Sequence, residues 1–151
     1  PYSYQQGDDH ATISYSPADS PVAMFGGNSN WRGPVWIPIN YLLIEALQKF
    51  GHALGDEFRM EFPTGSGREL NLWQISLELE KRLVGIFRRN EEGRRAFNGD
   101  IELFQNDTAW SELFQFHEYF NGCTGAGVGA SHQTGWTAVV SKMITQLQRW
   151  G

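Results

Sequence analysis

The chain has 151 residues, 12 Lys and Arg against 17 Asp and Glu, and a formal charge of −5. Its basic residues are scattered, which excludes binding to a nucleic-acid backbone by bulk electrostatics. Apolar runs such as Val22-Ala23-Met24-Phe25 and Tyr41-Leu42-Leu43-Ile44 fall far short of the roughly 20 residues needed to cross a bilayer, so a soluble chain is expected. The single cysteine, Cys123, excludes an internal disulfide framework and leaves packing to hold the fold.

One domain is expected at this length, and 40% hydrophobic residues are compatible with one core. The first residue is Pro1, and no basic segment followed by an apolar stretch opens the chain, which suggests a piece of something longer or a processed product. Six Trp, ten Phe and 17 Gly suit shaped loops around flat-faced ligands as well as an aromatic core with ordinary turns.

Residues 1–34 hold Pro17, Pro21 and Pro34 and four glycines without a helical period, and read as irregular with a short strand at Thr12–Tyr15. From Val35 the apolar positions Ile39, Leu42, Leu43, Ala46, Leu47 and Phe50 recur at helical spacing, with Pro34 suited to the first turn and Gly51 to the stop. Residues 63–67 form a loop. A second helix follows, with Leu72, Ile75, Leu79, Leu83 and Ile86 on one face and Trp73, Leu77 and Phe87 widening it, so it should be contacted on more than one side.

The charged run at 91–95 reads as a solvated turn, and residues 96–112 carry weak signals. Residues 113–120 are aromatic on both parities and suit an extended segment. A glycine-rich loop runs from Asn121 to Gly135. A last helix carries the stripe Trp136, Val139, Val140, Met143, Ile144 and Leu147, with Thr134 as its cap.

Several motifs fail their context. Gly125-Ala126-Gly127-Val128-Gly129-Ala130 fits a dinucleotide fingerprint, yet the helix begins near Gly135 and no second parallel strand or acid follows, so no cofactor is expected. Gly65-Ser66-Gly67-Arg68 lacks the ending of a phosphate loop. Neither Asp8, Asp9 and His10 nor His117, Glu118 and His132 has the spacing of a known metal loop, and no metal is expected. Asn106-Asp107-Thr108 is a glycosylation sequon that matters only in a secreted protein, and Cys123 reads as a free thiol.

Three segments carry the chemistry: 28–36, 116–120 and 132–136. Sugars present hydroxyl edges and weakly apolar C–H faces, so a sugar site needs flat rings, fork-like donors, amides and carboxylates. Trp31 and Trp36 lie at a loop-to-helix junction where rings can line a pocket, and Arg32 stands between them. Glu118 has aromatic neighbours on both sides, a setting that tunes acid–base groups. The plainer alternatives are that the tryptophans are core residues and that Glu118 pairs with Arg32.

At these residues the chain resembles glycoside hydrolase family 63, the processing α-glucosidases and their bacterial relatives. The likeness rests on residues 25–36 (Phe25-Gly26-Gly27-Asn28-Ser29-Asn30-Trp31-Arg32-Gly33-Pro34-Val35-Trp36), on Phe116-His117-Glu118-Tyr119-Phe120-Asn121-Gly122, and on residues 129–136 ending in Gln133-Thr134-Gly135-Trp136. It implies a mainly α fold, part of an (α/α)6 toroid with long irregular loops and little β structure. It also implies an inverting mechanism with two carboxylates about 6.5–9.5 Å apart. By motif, Glu118 matches the general base, Trp31, Arg32 and Trp36 match pocket-wall residues, and Gln133 and Trp136 match residues near the base.

The family's general acid is an aspartate well upstream of the Trp-Arg-Gly-Pro segment. Asp8, Asp9 and Asp19 sit in no matching motif, and twelve helices need more than about 200 residues. The expectation is therefore the C-terminal portion of an α-glucosidase or α-mannosidase catalytic domain. Its partners are an oligosaccharide or glycoside and the rest of that domain, with no nucleic acid and no membrane. The isolated chain is expected to be inactive and to self-associate through bare helix faces. A non-catalytic carbohydrate-binding or structural assembly module is the rival reading, and the compartment stays open with the cytoplasm favoured.

Overall fold

A computed structural model describes residues 1–21 and 31–150, which are mainly helical with three two-stranded antiparallel sheets. Residues 25–30 of the family-like segment and the run Val22–Phe25 lie outside the described residues. An exposed hairpin comes first, β1 (Tyr2–Gln6) pairing with β2 (Asp9–Ile13) so that Tyr2 faces Ile13 and Gln6 faces Asp9. The expected strand thus sits slightly earlier than Thr12–Tyr15. Its partner escaped the sequence reading because Tyr2–Gln6 has no apolar face to bury.

Helix α1 spans Ile37–Leu54, and Pro38 rather than Pro34 occupies its first turn, where a missing N–H costs nothing. Gly51 does not stop it. A side chain there would meet Trp73 N at 3.2 Å and Leu72 Cβ at 3.3 Å, so Gly51 is where the two helical segments close on each other. The stop is Gly55, with φ +79° and its N–H on Gly51 O at 2.9 Å. Ile37 and Ile44 enter the core, whereas Ile39, Leu42, Leu43 and Phe50 of the expected stripe are exposed.

Strands β3 (Arg59–Glu61) and β4 (Glu69–Asn71) form a hairpin around the expected 63–67 loop, held by Gly67 N–H on Glu61 Oε1 at 2.7 Å. β4 leads directly into α2 (Leu72–Gly85), which opens on a capping box. Asn71 Oδ1 accepts Gln74 N–H at 2.8 Å, and Gln74 Oε1 accepts Asn71 N–H at 3.0 Å. The broad apolar arc behaves as expected, with α2 packing against both α1 and α5 (Val140–Trp150). Ile37, Ile44, Leu77, Leu83, Val84, Phe87, Phe97, Phe120, Val140 and Met143 form one core.

The weak segment 96–112 holds a 3-10 turn at Ala96–Asn98 and the short α3 (Glu102–Asn106). It is organised by a buried amide and not by a hydrophobic period. Gln105 accepts Arg95 N–H at 2.9 Å and donates to Arg95 O at 2.9 Å and Gly99 O at 2.8 Å. Arg95 corrects the expectation of a wholly solvated turn. It is buried, lies over the Phe114 ring at 4.8 Å and reaches Glu112 Oε2 at 3.2 Å. The last helix is interrupted, α4 (Thr134–Thr137) preceding α5, and its N-cap is Gln133 and not Thr134. Hydrogen bonds three residues apart, Ser141 N–H to Ala138 O and Lys142 N–H to Val139 O, tighten the chain at the break.

One polar line runs through the helix interface. Gln146 Nε2 donates to Gln48 Oε1 at 3.2 Å, and Gln48 Nε2 donates to fully buried Glu80 Oε1 at 3.2 Å. Burial pushes the Glu80 carboxyl up to about 7, with the Glu45 charge adding to it and Gln48 and Lys142 opposing. The folded chain therefore holds this proton where the unfolded chain, near 4.5, releases it. Between about pH 5 and 7 stability should fall as pH rises, by about 3 kcal/mol in all. Urea unfolding at about pH 5 and about pH 8 checks this. Glu80→Gln should flatten the slope, and an unchanged slope in that variant contradicts the assignment.

Candidate functional site

Residues 116–120 form the spine of the site. On one edge Val35 and Phe120 exchange N–H···O bonds at 2.8 and 2.9 Å. On the other, β5 (Tyr119–Phe120) pairs with β6 (Gly127–Val128), Glu118 N–H donates to Ala130 O at 2.8 Å, and Gln133 N–H to Phe116 O at 2.8 Å. The described parts of the three sequence segments, 31–36, 116–120 and 132–136, are thereby gathered in one place. A fourth segment joins them: Ser16 N–H bonds Arg32 O at 3.2 Å, and Gly122 N–H bonds Pro17 O at 2.8 Å.

The rings form a stack. Trp31 lies on Trp36 with centroids 4.0 Å apart and planes at 9°, and Trp36 lies on Tyr119 at 4.5 Å and 21°. Trp136 meets Trp36 edge-on at 6.3 Å. Both faces of the Trp36 indole are covered by rings, and it is 4% exposed. Trp31 is 58% exposed and Trp136 38%, so their outer surfaces are the ones available to a ligand.

Glu118 is half-buried, and its Oε2 accepts Ala130 N–H at 3.3 Å. It does not pair with Arg32, whose Nη2 donates to Ser20 Oγ at 3.2 Å. Among the described residues Glu118 takes part in no ion pair. Gly129, at φ +71°, presses on this carboxylate, since a Cβ there would lie 2.7 Å from Glu118 Oε2 and 2.8 Å from Tyr119 Cε1. Glu118 and Tyr119 therefore share one small space. Gln133 is exposed and starts α4, and Thr137 Oγ1 donates to His117 O at 2.5 Å. His117 is half-buried against Gly127, and desolvation, followed by the nearby His132, holds its imidazole below the usual range.

The sequence reading missed Asp19 and Tyr119 as a pair. The buried Tyr119 hydroxyl donates to Asp19 Oδ1 across 100 positions of sequence. Burial above all, then the bond to Asp19 and the charges of Asp19 and Glu118, raises this phenol above its ordinary value. No local pattern signals such a contact. Cavities of about 500 Å³, between Val35, Arg82 and Asn121–Gly125, and about 310 Å³, near Arg88, Arg94 and Thr124, flank the C-terminal part of α2. Neither is lined by Glu118 or an indole, so the aromatic platform is an open face and not a wall of these hollows. Cys123 is exposed, with Tyr15 Oη 3.6 Å from its sulfur. No group of three or more metal-ligating side chains occurs among the described residues, and no helix among them is long and apolar enough to cross a membrane.

Residues 11–137 match the family described as the mannosylglycerate hydrolase MGH1-like glycoside hydrolase domain. An uncharacterized protein of Saccharomyces cerevisiae is 47% identical over 137 residues, which cover 89% of this chain and 13% of the yeast protein. The mannosyl-oligosaccharide glucosidase of the same yeast is 25% identical over 90% of the chain, and a probable mannosyl-oligosaccharide glucosidase of Schizosaccharomyces pombe is 26% identical over 80%. The chain spans 13% and 11% of those two proteins, respectively. No solved structure matches significantly. The matched residues carry the site's aromatic stack and Glu118, in agreement with the family 63 likeness of the motifs: the chain belongs to the MGH1-like glycoside hydrolase family.

Proposed function

We propose that this chain supplies the general-base half of an inverting α-glycosidase site acting on α-glucosides or α-mannosides. The observation that carries the reading is Glu118: a half-buried carboxylate without a cation partner among the described residues, beside a ring stack that ends in the exposed indole of Trp31. Glu118 takes a proton from the attacking water, and a carboxylic acid from another part of the enzyme protonates the leaving oxygen. Trp31 and Trp136 receive the apolar face of the sugar, Trp36 backs them, and Arg32 and Gln133 address hydroxyls.

The relatives' names, glucosidases of mannosyl oligosaccharides, support an oligosaccharide substrate. The exposed Ile39, Leu42, Leu43 and Phe50 on α1 support a toroid in which further helices cover that face. By the same reasoning the isolated chain binds sugar without useful turnover and self-associates.

Titration with methyl α-glucoside and methyl α-mannoside, followed by tryptophan fluorescence beside a hydrolysis assay, tests this. Trp31→Ala should weaken sugar binding about tenfold, a loss of about 1.4 kcal/mol of stacking. Equal binding by wild type and Trp31→Ala removes the platform from the account. Sugar binding by an enzyme containing this segment that never turns over would favour a carbohydrate-binding module.

A further inference from the structure

We propose that Asp19 is a further sugar-binding residue of this site, aimed by Tyr119 through one carboxylate oxygen and offering the other to a substrate hydroxyl. The inference rests on the sugar-site reading above and extends it to a residue outside the three segments.

Asp19 is exposed, yet its position is fixed from three directions. Tyr119 donates to Oδ1, Ser16 Oγ donates to the Asp19 carbonyl at 3.0 Å, and the next residue, Ser20, receives Arg32 Nη2 at 3.2 Å. The clasp of Ser16 on Arg32 and of Pro17 on Gly122 holds the same segment against the strand that carries Glu118. Oδ2 carries no hydrogen bond among the described residues. An oriented, solvent-facing anionic acceptor is thus set at the rim of the Trp31–Trp36–Tyr119 stack.

Its neighbours give the chemistry. Tyr119 shares its space above Gly129 with Glu118 Oε2 and holds Asp19 by its hydroxyl, so one residue joins the binding carboxylate to the neighbourhood of the proposed base. A sugar lying on an indole presents its hydroxyls at the edge of the ring stack, where Asp19, Ser20 and Arg32 gather. Holding a tyrosine hydroxyl alone needs only a neutral acceptor. A carboxylate with one oxygen held in place offers the other as a charged acceptor, which suits the vicinal hydroxyls of a pyranose. The raised Tyr119 phenol fits its role as a permanent donor to Asp19.

The test compares Asp19→Ala, Asp19→Asn and Tyr119→Phe with wild type in titrations with methyl α-glucoside, methyl α-mannoside and their monodeoxy analogues. Loss of one charge-assisted hydrogen bond should weaken the parent glycosides about tenfold in Asp19→Ala and less in Asp19→Asn, which keeps an acceptor. One deoxy analogue, lacking the hydroxyl that Asp19 receives, should bind wild type and Asp19→Ala alike. The unfolding midpoint should stay close to wild type in Asp19→Asn, whose amide oxygen still accepts the Tyr119 hydroxyl, and fall in Asp19→Ala, which leaves that buried hydroxyl without its acceptor. Equal weakening for every analogue, or wild-type affinity in Asp19→Ala while Trp31→Ala loses it, overturns the assignment and leaves the sugar-site reading standing. Wild type that binds none of these glycosides sinks both.

Discussion

In an active enzyme that contains this segment, Glu118→Gln should lower kcat by about 10²–10⁴ while KM changes little, as expected when proton transfer is lost and ground-state binding is kept. The amide has the shape of the carboxylate, and its oxygen still accepts the Ala130 N–H that orients Glu118 at 3.3 Å. What it lacks is the capacity to take a proton from water. Wild-type-like turnover of the variant ends the assignment of Glu118 as base. A loss in kcat accompanied by an equal rise in KM would make Glu118 a binding group instead.

The second large effect concerns the clasp that assembles the site. Gly122→Ala should cost about 3 kcal/mol of folding stability, at the upper end of what overpacking usually costs. The new Cβ would lie 2.1 Å from Gly33 O and 2.9 Å from Tyr15 Oη. The first of these is backbone, which cannot rotate aside, and the Gly122 N–H that holds Pro17 would be drawn away with it. Gly85→Ala is the matched control, since nothing lies within 4 Å of a side chain at that position. It should be neutral or slightly stabilising at the end of α2. Equal urea midpoints for the two variants would contradict the clasp.

The periodic helices were legible because burial and period coincide. The arc of α2, with Leu72, Ile75, Leu77 and Leu83 buried, lies against two helices as its width implies. α1 was legible as a helix but not in its orientation. Both Ile37 and Ile39 are apolar, and only packing decides that the first enters the core while the second is exposed. Segments held by polar contacts carried no period to read. Gln105 organises residues 95–99 through backbone bonds, and the sequence shows only an ordinary glutamine.

The site divides along the same line. Its three segments were visible as combinations of tryptophan, arginine, glutamate and glutamine, and the structure brings together the parts it describes. The covering of Trp36 on both faces, the absence of a Glu118–Arg32 pair and the contact of Asp19 with Tyr119 depend on chain crossings far apart in sequence. Glycines 122, 127 and 129 read in the sequence only as members of a loop able to hold unusual backbone angles. Each instead marks a close approach, to Gly33 O, the His117 ring and Glu118 Oε2, respectively.

The most direct measurement is an indole N–H NMR titration of the chain with methyl α-glucoside and methyl α-mannoside. Trp31 and Trp136 should shift in a saturable way, while Trp73 and Trp150, which pack edge to face with each other at 6.1 Å away from the stack, stay in place. Indole resonances that ignore both sugars, or that move only at Trp73 and Trp150, would show that the surface beside Glu118 is not where a sugar lies.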